Sequence, residues 1–366
     1  MAKGAYVGVS GVARKVKKGY IGIDGIARKI KKAYVGVGGV ARPIWGGGKL
    51  TYYGTITSLS SVRRQAAATT VGGYALFGGG YGPIATVDAY NTSLTRTSAP
   101  DFSEARYSTG AATVGGYALF GGGTATSITT TVDAYDTSLT KIDVTAMSGA
   151  GANLATTVGG YALFAGCVSG SDGYVGVEAY DASLTRTIAP NMSVARGTKS
   201  AATTVGGYAL FSGSSSYGTS VDAYDTSLAK TIAPDLSVAK HSHSATTVGG
   251  YALFGGGYVS TYSSATGYRT ATVDAYDASL TKTAATDLNT PRYEMTAITL
   301  GDYALFAGGV ISTLTNVVEV YDTSLTRADA DSLSQSNRIM AATTVGDFAL
   351  IGGGYNSSVV DAYTLI

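Results

Sequence analysis

The 366-residue chain holds one cysteine, two histidines, six prolines and one tryptophan. A lone cysteine, Cys167, excludes an internal disulfide framework. Few prolines, and no glycine at every third position, exclude a collagen-like rod. Charged residues make up only 14% against 45% hydrophobic ones, so a disordered, charge-swollen chain is excluded as well. No run of 18 apolar residues occurs, so no helical membrane span and no membrane insertion are expected. The opening MAKGAYVGVSG lacks the continuous apolar stretch of a signal peptide. What is abundant is glycine, 51 residues, and tyrosine, 27. Together these features point to an all-β repeat protein.

Charge divides the chain. Residues 1–45 carry ten Lys or Arg and one acid, Asp24, whereas the rest is net acidic. The basic part repeats every 14 residues: AYVGVSGVARKVKK, GYIGIDGIARKIKK and AYVGVGGVARPIW. Asp24-Gly25 and Gly38-Gly39 between β-branched flanks are hairpin turns, so residues 1–48 are expected to be a small β-hairpin extension. Residues 49–366 form the second expected domain.

That domain repeats about every 45 residues. The phrase GGYALF, twice varied to GDYALF and GDFALI, occurs seven times, each followed by a phrase such as VDAYD. In the first copy, 67–71 reads as strand a, 74–77 as strand b, 86–90 as strand c, and strand d starts near Leu94. Four short antiparallel strands at this period are the pattern of a propeller blade. Strand-b leucines Leu76, Leu119, Leu163, Leu210, Leu253, Leu305 and Leu350 are expected in the core. The seventh copy ends after strand c, at Ile366, while residues 50–57 stand where a strand d should be. Pairing the two closes a seven-bladed ring and removes its edges.

The wording resembles the kelch repeat family, whose blade carries a glycine doublet after a Tyr-bearing strand and then an apolar strand ending Tyr-Asp. Gly78-Gly79, Tyr74 and pairs such as Tyr135-Asp136 fill those places. The tryptophan that the family carries six residues beyond that Tyr is absent. Arg96, Lys141, Arg186, Lys230, Lys282 and Arg327 stand there instead, and Leu94, Leu139 and their equivalents are expected to supply the missing packing. With the basic units in front, the wording also resembles structural or tail-associated proteins of bacteriophages and prophages of Gram-positive gut bacteria. That resemblance implies a virion, or the bacterial cytoplasm for a prophage-encoded protein.

Length variation is almost confined to the b–c loops. From the aromatic residue of strand b to the Tyr of strand c the gaps are 16, 18, 19, 16, 25, 18 and 15 residues, whereas those from strand c to the next strand b are 26 to 28. Alternating strands put the b–c and d–a connections on one face, and the near-constant a–b and c–d turns on the other. Function on a repeated scaffold concentrates in variable loops. The b–c loops are rich in Tyr, Ser and Gly, suited to rigid contacts amid adaptable hydrogen bonds. Candidate ligand-binding residues on this face are Tyr81, Asp172, Tyr174, Tyr217, Tyr258, Tyr262, Tyr268, Arg269 and Tyr355, with carbohydrate as a possible ligand.

The seven strand-c acids, Asp88, Asp133, Glu178, Asp222, Asp274, Glu319 and Asp361, recur too regularly for a catalytic pair. They are expected to accept hydrogen bonds, with Arg63, Arg106, Arg196, Arg292 and Arg338 as candidate partners. His241 and His243 lack a third ligand of sensible spacing. No enzyme, cofactor or metal site is therefore expected, with a glycan hydrolase using Asp172 as the enzymatic alternative. In the extension, Arg14, Lys15, Lys17, Lys18, Arg28, Lys29, Lys31 and Lys32 form a dense positive surface. A protein assembly is its expected partner. Nucleic acid is disfavoured because no recognition motif is legible. A binding module and a purely structural protein both remain open.

Overall fold

The computed structural model describes the chain apart from residues 1–5, 10–11, 16–19, 24–25, 30–32, 38–39, 46–47, 150, 152, 167–173, 198, 214–217 and 260–266, and within the strands of residues 6–45 it describes the backbone alone. The chain divides into two compact units, Met1–Lys49 with Leu365–Ile366, and Leu50–Thr364.

The first unit contains three antiparallel hairpins: Tyr6–Val9 with Val12–Lys15, Tyr20–Ile23 with Ile26–Lys29, and Ala33–Val37 with Val40–Trp45. The 14-residue period thus becomes one hairpin per repeat. The third hairpin has a register shift between Ala33 and Tyr34. Lys49 and Ile366 exchange backbone hydrogen bonds of 2.8 and 3.1 Å.

The second unit is a seven-bladed propeller of four-stranded antiparallel sheets. Blade 1 is built from Ala67–Val71 (a), Tyr74–Gly78 (b), Val87–Asn91 (c) and Arg96–Ala99 (d). Blade 7 takes its first three strands from Ala341–Val345, Phe348–Gly352 and Val360–Leu365, and its outer strand from Leu50–Ile56. The ring is therefore closed by the segment expected to close it.

Each strand b is apolar on both faces because it is sandwiched between two blades. All seven strand-b leucines are fully buried. Leu163 lies with Val177 and Ala179 against Ala209, Phe211 and Tyr224 of the next blade. Leu119 and Leu350 make the same kind of contact with the blades that follow theirs. Phe77 meets the Tyr90 ring edge-on at 5.9 Å, an arrangement repeated along the ring.

The strand-c tyrosine is an inter-blade clasp. Tyr90 donates its hydroxyl to the Thr57 carbonyl, Tyr135 to Pro100, Tyr180 to Thr145 and Tyr224 to Pro190, at 2.7–2.8 Å. Tyr276, Tyr321 and Tyr363 do the same to Pro234, Thr286 and Asp331. In every case the acceptor lies in the connection arriving from the preceding blade.

Strand d begins at Arg96, two residues later than Leu94. The side-chain carbonyl of Asn91 accepts from the N–H groups of Ser93 and Thr95, and the turn absorbs those residues. Leu94 sits inside it at φ 62°, as do Leu139, Leu184, Leu228, Leu280 and Leu325 in the other blades. A bulky residue is rare in this region. Burial compensates: Leu94 and Leu228 join inter-blade clusters.

The a–b turn is held from outside its own blade. Gly72 adopts φ +54°, and a Cβ there would strike Thr137 in the c–d turn of blade 2. Gly115 stands against Ala182 and Gly206 against Ala278 in the same way. The constant turns are thus an interlocking surface.

Candidate binding face

Beneath the b–c and d–a connections lies a layer of buried ion pairs. Arg63 bonds Asp88 at 2.8 Å, Arg106 bonds Asp133 at 2.7 Å and Arg196 bonds Asp222 at 2.7 Å, all essentially without solvent exposure. Arg292 bonds Glu319 likewise, and Lys240 approaches Asp274 at 3.4 Å. Burial lowers the pKa of Arg63, Arg196 and Arg292 against the opposing pull of these carboxylates. Burial brings Lys240 down to about 8, again opposed by its acid. The first residue of strand d adds a second, outer cation: Arg96 on Asp88 at 2.8 Å, Arg186 on Glu178 at 3.1 Å and Arg327 on Glu319 at 3.0 Å.

Four of the five arginines expected to partner these acids do so. Arg338 does not: it pairs with Glu294 at 2.8 Å, because Asn337 occupies the buried register position and bonds the Gly353 carbonyl. Lys240, overlooked in the sequence, fills that position in blade 5.

The buried residue anchors the d–a connection, and in blades 1, 2, 6 and 7 the next residue reaches the surface, whereas His241 in blade 5 stays buried. Arg64 follows Arg63, Tyr107 follows Arg106, His241 follows Lys240, Tyr293 follows Arg292 and Arg338 follows Asn337. One residue further on, the chain turns through positive φ at Gln65, Ser108, Ser242, Glu294 and Ile339. Backbone bonds then link successive connections: Ser108 donates to Gln65, Gln65 to Ile339, Ile339 to Glu294, Glu294 to Ser242 and Ser242 to Lys199. This chain of bonds fixes the displayed residues relative to one another across six blades.

Those residues meet the start of the b–c loops. Tyr81 N–H donates to the Arg64 carbonyl, Tyr355 N–H to Arg338, and Tyr258 N–H to His241. The resulting contacts form an aromatic and cationic belt. Tyr107 lies 5.1 Å from Tyr81. The Arg64 guanidinium is 4.0 Å from the Tyr81 ring and 5.2 Å from that of Tyr355, with Arg338 4.8 Å from Tyr355. Further round, His241, Tyr258 and Tyr293 are in ring contact at 5.5 and 5.3 Å.

The belt gathers Tyr81 and Tyr355 at the seam of blades 1 and 7, and Tyr258 in blade 5. Tyr268 and Arg269 are exposed on a short strand paired with Tyr258–Val259. Tyr174 is half-buried in blade 3, its ring filling the space beside Gly149 and Gly176. Asp172, Tyr217, Tyr262 and Cys167 lie outside the described residues, as do Lys17, Lys18, Lys31 and Lys32. Arg14 and Lys15 pair by backbone with Val7 and Tyr6, and Arg28 and Lys29 with Ile21 and Tyr20. Sequence reasoning missed Arg64, Tyr107 and Tyr293. Their signal was a variable position directly after a recurring basic one.

The mouth of the central channel opens on this face, with about 270 Å³ of space among Ala68, Ala111, Asn153, Ser200, Ala245 and Ala297. Deeper in, threonines of neighbouring strands a bond across the blades: Thr69 to Thr113 at 2.8 Å, and Thr156 to Thr204 at 2.8 Å. The two histidines separate in role. Buried His243 bonds Ser212 Oγ at 2.8 Å, and burial, with Lys240 and Arg196 nearby, holds its pKa well below the ordinary value. His241 stacks on Tyr258, and burial lowers it to about 4. Among the described residues, no three His, Cys, Asp or Glu side chains are grouped to share a metal ion.

No family model matches the sequence, and no curated protein matches it. The fold is similar to a solved structure described as "Structure of YjhT", with a TM-score of 0.58 and 12% identity over 75% of this chain and 99% of that one. At that identity the likeness shows the propeller fold alone.

Proposed function

We propose that the protein is a non-catalytic, kelch-like binding module that presents its loop face to a surface carbohydrate. The belt of Tyr107, Tyr81, Tyr355, Tyr258 and Tyr293 around the channel mouth carries this reading. Half-exposed aromatic rings held in fixed positions give stacking area at little entropic cost. The strand-c acids are each committed to internal partners, which disfavours catalysis by them. The basic hairpins, with the resemblance to phage and prophage tail proteins, support attachment of the module to a virion-type assembly. In that setting the protein is part of the particle, or free in the host cytoplasm before assembly.

The test is a glycan array probed with the full chain, beside a variant whose 258–269 segment is shortened to the length of the first blade's loop and beside Tyr81→Ala. Carbohydrate binding that either change weakens supports the reading. Absence of binding to any glycan favours a purely structural role. Turnover of a bound polysaccharide, abolished by Asp172→Asn, would replace it with an enzyme.

A further inference from the structure

Arg64 stands apart from the other cations of the propeller. Eight of the ten arginines between residues 50 and 366 pair with a carboxylate. Among the described residues, Arg64 and Arg269 have no such partner. Arg269 is simply exposed on its strand, whereas Arg64 is half-buried between the rings of Tyr81 and Tyr355. Its charge is therefore held in place by two aromatic faces and neutralised by no counter-ion. A guanidinium stacked in this way uses its flat faces and leaves its N–H edge for a planar acceptor.

The surroundings define the ligand further. Tyr81 is 49% exposed and meets half-buried Tyr107 edge-on, which leaves ring area beside the guanidinium. Gln65 and Asn356, both held at positive φ, directly follow Arg64 and Tyr355 in the chain. Arg338 adds a second positive charge against Tyr355, although one of its N–H groups is engaged by Glu294. Aromatic area for an apolar sugar face and one unpaired guanidinium for an anion are the elements of an acidic-saccharide subsite.

We propose that the seam between blades 7 and 1 binds the carboxylate or sulfate of an acidic saccharide, with Arg64 as the anion acceptor and Tyr81 as the stacking platform. This inference rests on the carbohydrate-binding reading above and narrows it to one place and one charge. Removal of Arg64 leaves the buried layer intact, because Asp88 is held from the d–a connection by Arg63 and Ser60.

The test uses the full chain on an array of uronate-bearing, sulfated and neutral glycans, with an acidic peptide included, followed by titration of the best oligosaccharide and its carboxyl-reduced or desulfated form. The expected result is preference for the acidic forms, weakened by salt. A loss of at least tenfold is expected with Arg64→Ala, and a smaller loss with Arg64→Lys. Equal binding of acidic and neutral glycans, untouched by Arg64→Ala, overturns the anion subsite but leaves carbohydrate binding standing. Binding of the acidic peptide alone, or of no probe, overturns both.

Discussion

The two faces of the propeller differ in what holds them. On the turn face, a–b glycines are contacted by the c–d turn of a neighbouring blade: Gly72 by Thr137, Gly159 by Thr226, Gly249 by Thr323 and Gly346 by Thr92. A change in one turn disturbs two blades, which accounts physically for seven near-identical turns. On the loop face the rigid part lies one layer down, in the buried ion pairs. The b–c loops above it are tied to this layer near their ends, as where Thr86 accepts from Arg63, and differ in length between those ties. Constancy here reports packing, and variation marks the surface that this packing leaves free.

The largest way to break the scaffold is alkaline pH. Burial, reinforced by the neighbouring carboxylate, raises the pKa of all seven strand-c tyrosines above the ordinary value of 10. The unfolded chain releases these protons first, so stability present below pH 10 is lost as pH rises above it. Each tyrosine contributes a slope of up to about 1.4 kcal/mol per pH unit. Lys240, lowered to about 8, acts in the opposite sense between pH 8 and its unfolded value of 10.5, but it is one group against seven. Urea midpoints measured from pH 8 to 11 should fall steeply above 10. A flat profile would mean that the clasps are not buried.

Single substitutions sharpen the comparison in decreasing order. Arg106→Ala leaves buried Asp133 with Ser103 and, at 3.8 Å, the outer Lys141, and is expected to cost about 3–5 kcal/mol by urea unfolding. Leu163→Ala opens a cavity between blades 3 and 4 and should cost about 2–5 kcal/mol, whereas a change below about 1 kcal/mol would place that leucine at the surface. Tyr81→Ala, on the loop face, should stay within about 0.5 kcal/mol of the parent. Its effect belongs in the glycan titration.

Much of the scaffold is legible in the sequence. The period sets seven blades, the spare segment 50–57 closes the ring and the apolar strand b becomes the inter-blade core. Arg63, Arg106, Arg196 and Arg292 are found because residue type and spacing recur together. Lys240 and Asn337 are hidden because the position persists while the residue type changes, and Arg338 misleads by standing one place off register. Of the belt, the loop residues Tyr81, Tyr258 and Tyr355 are legible, but their contacts with the d–a residues are not. Arg64 meets Tyr355 only because the last blade closes on the first, and Tyr258 meets Tyr293 only through the spacing of adjacent blades.

In blades 1, 2, 6 and 7 a buried residue anchors the d–a connection and the next residue reaches the surface. The adjacent pair Arg63 and Arg64 tests it most directly, by urea unfolding of Arg63→Ala and Arg64→Ala in parallel at neutral pH. The account predicts a loss of about 3–5 kcal/mol for Arg63→Ala, which leaves Asp88 with Ser60 and its outer cation, and a change within about 0.5 kcal/mol for Arg64→Ala. Equal losses for the two variants, or a larger one for Arg64→Ala, would contradict it.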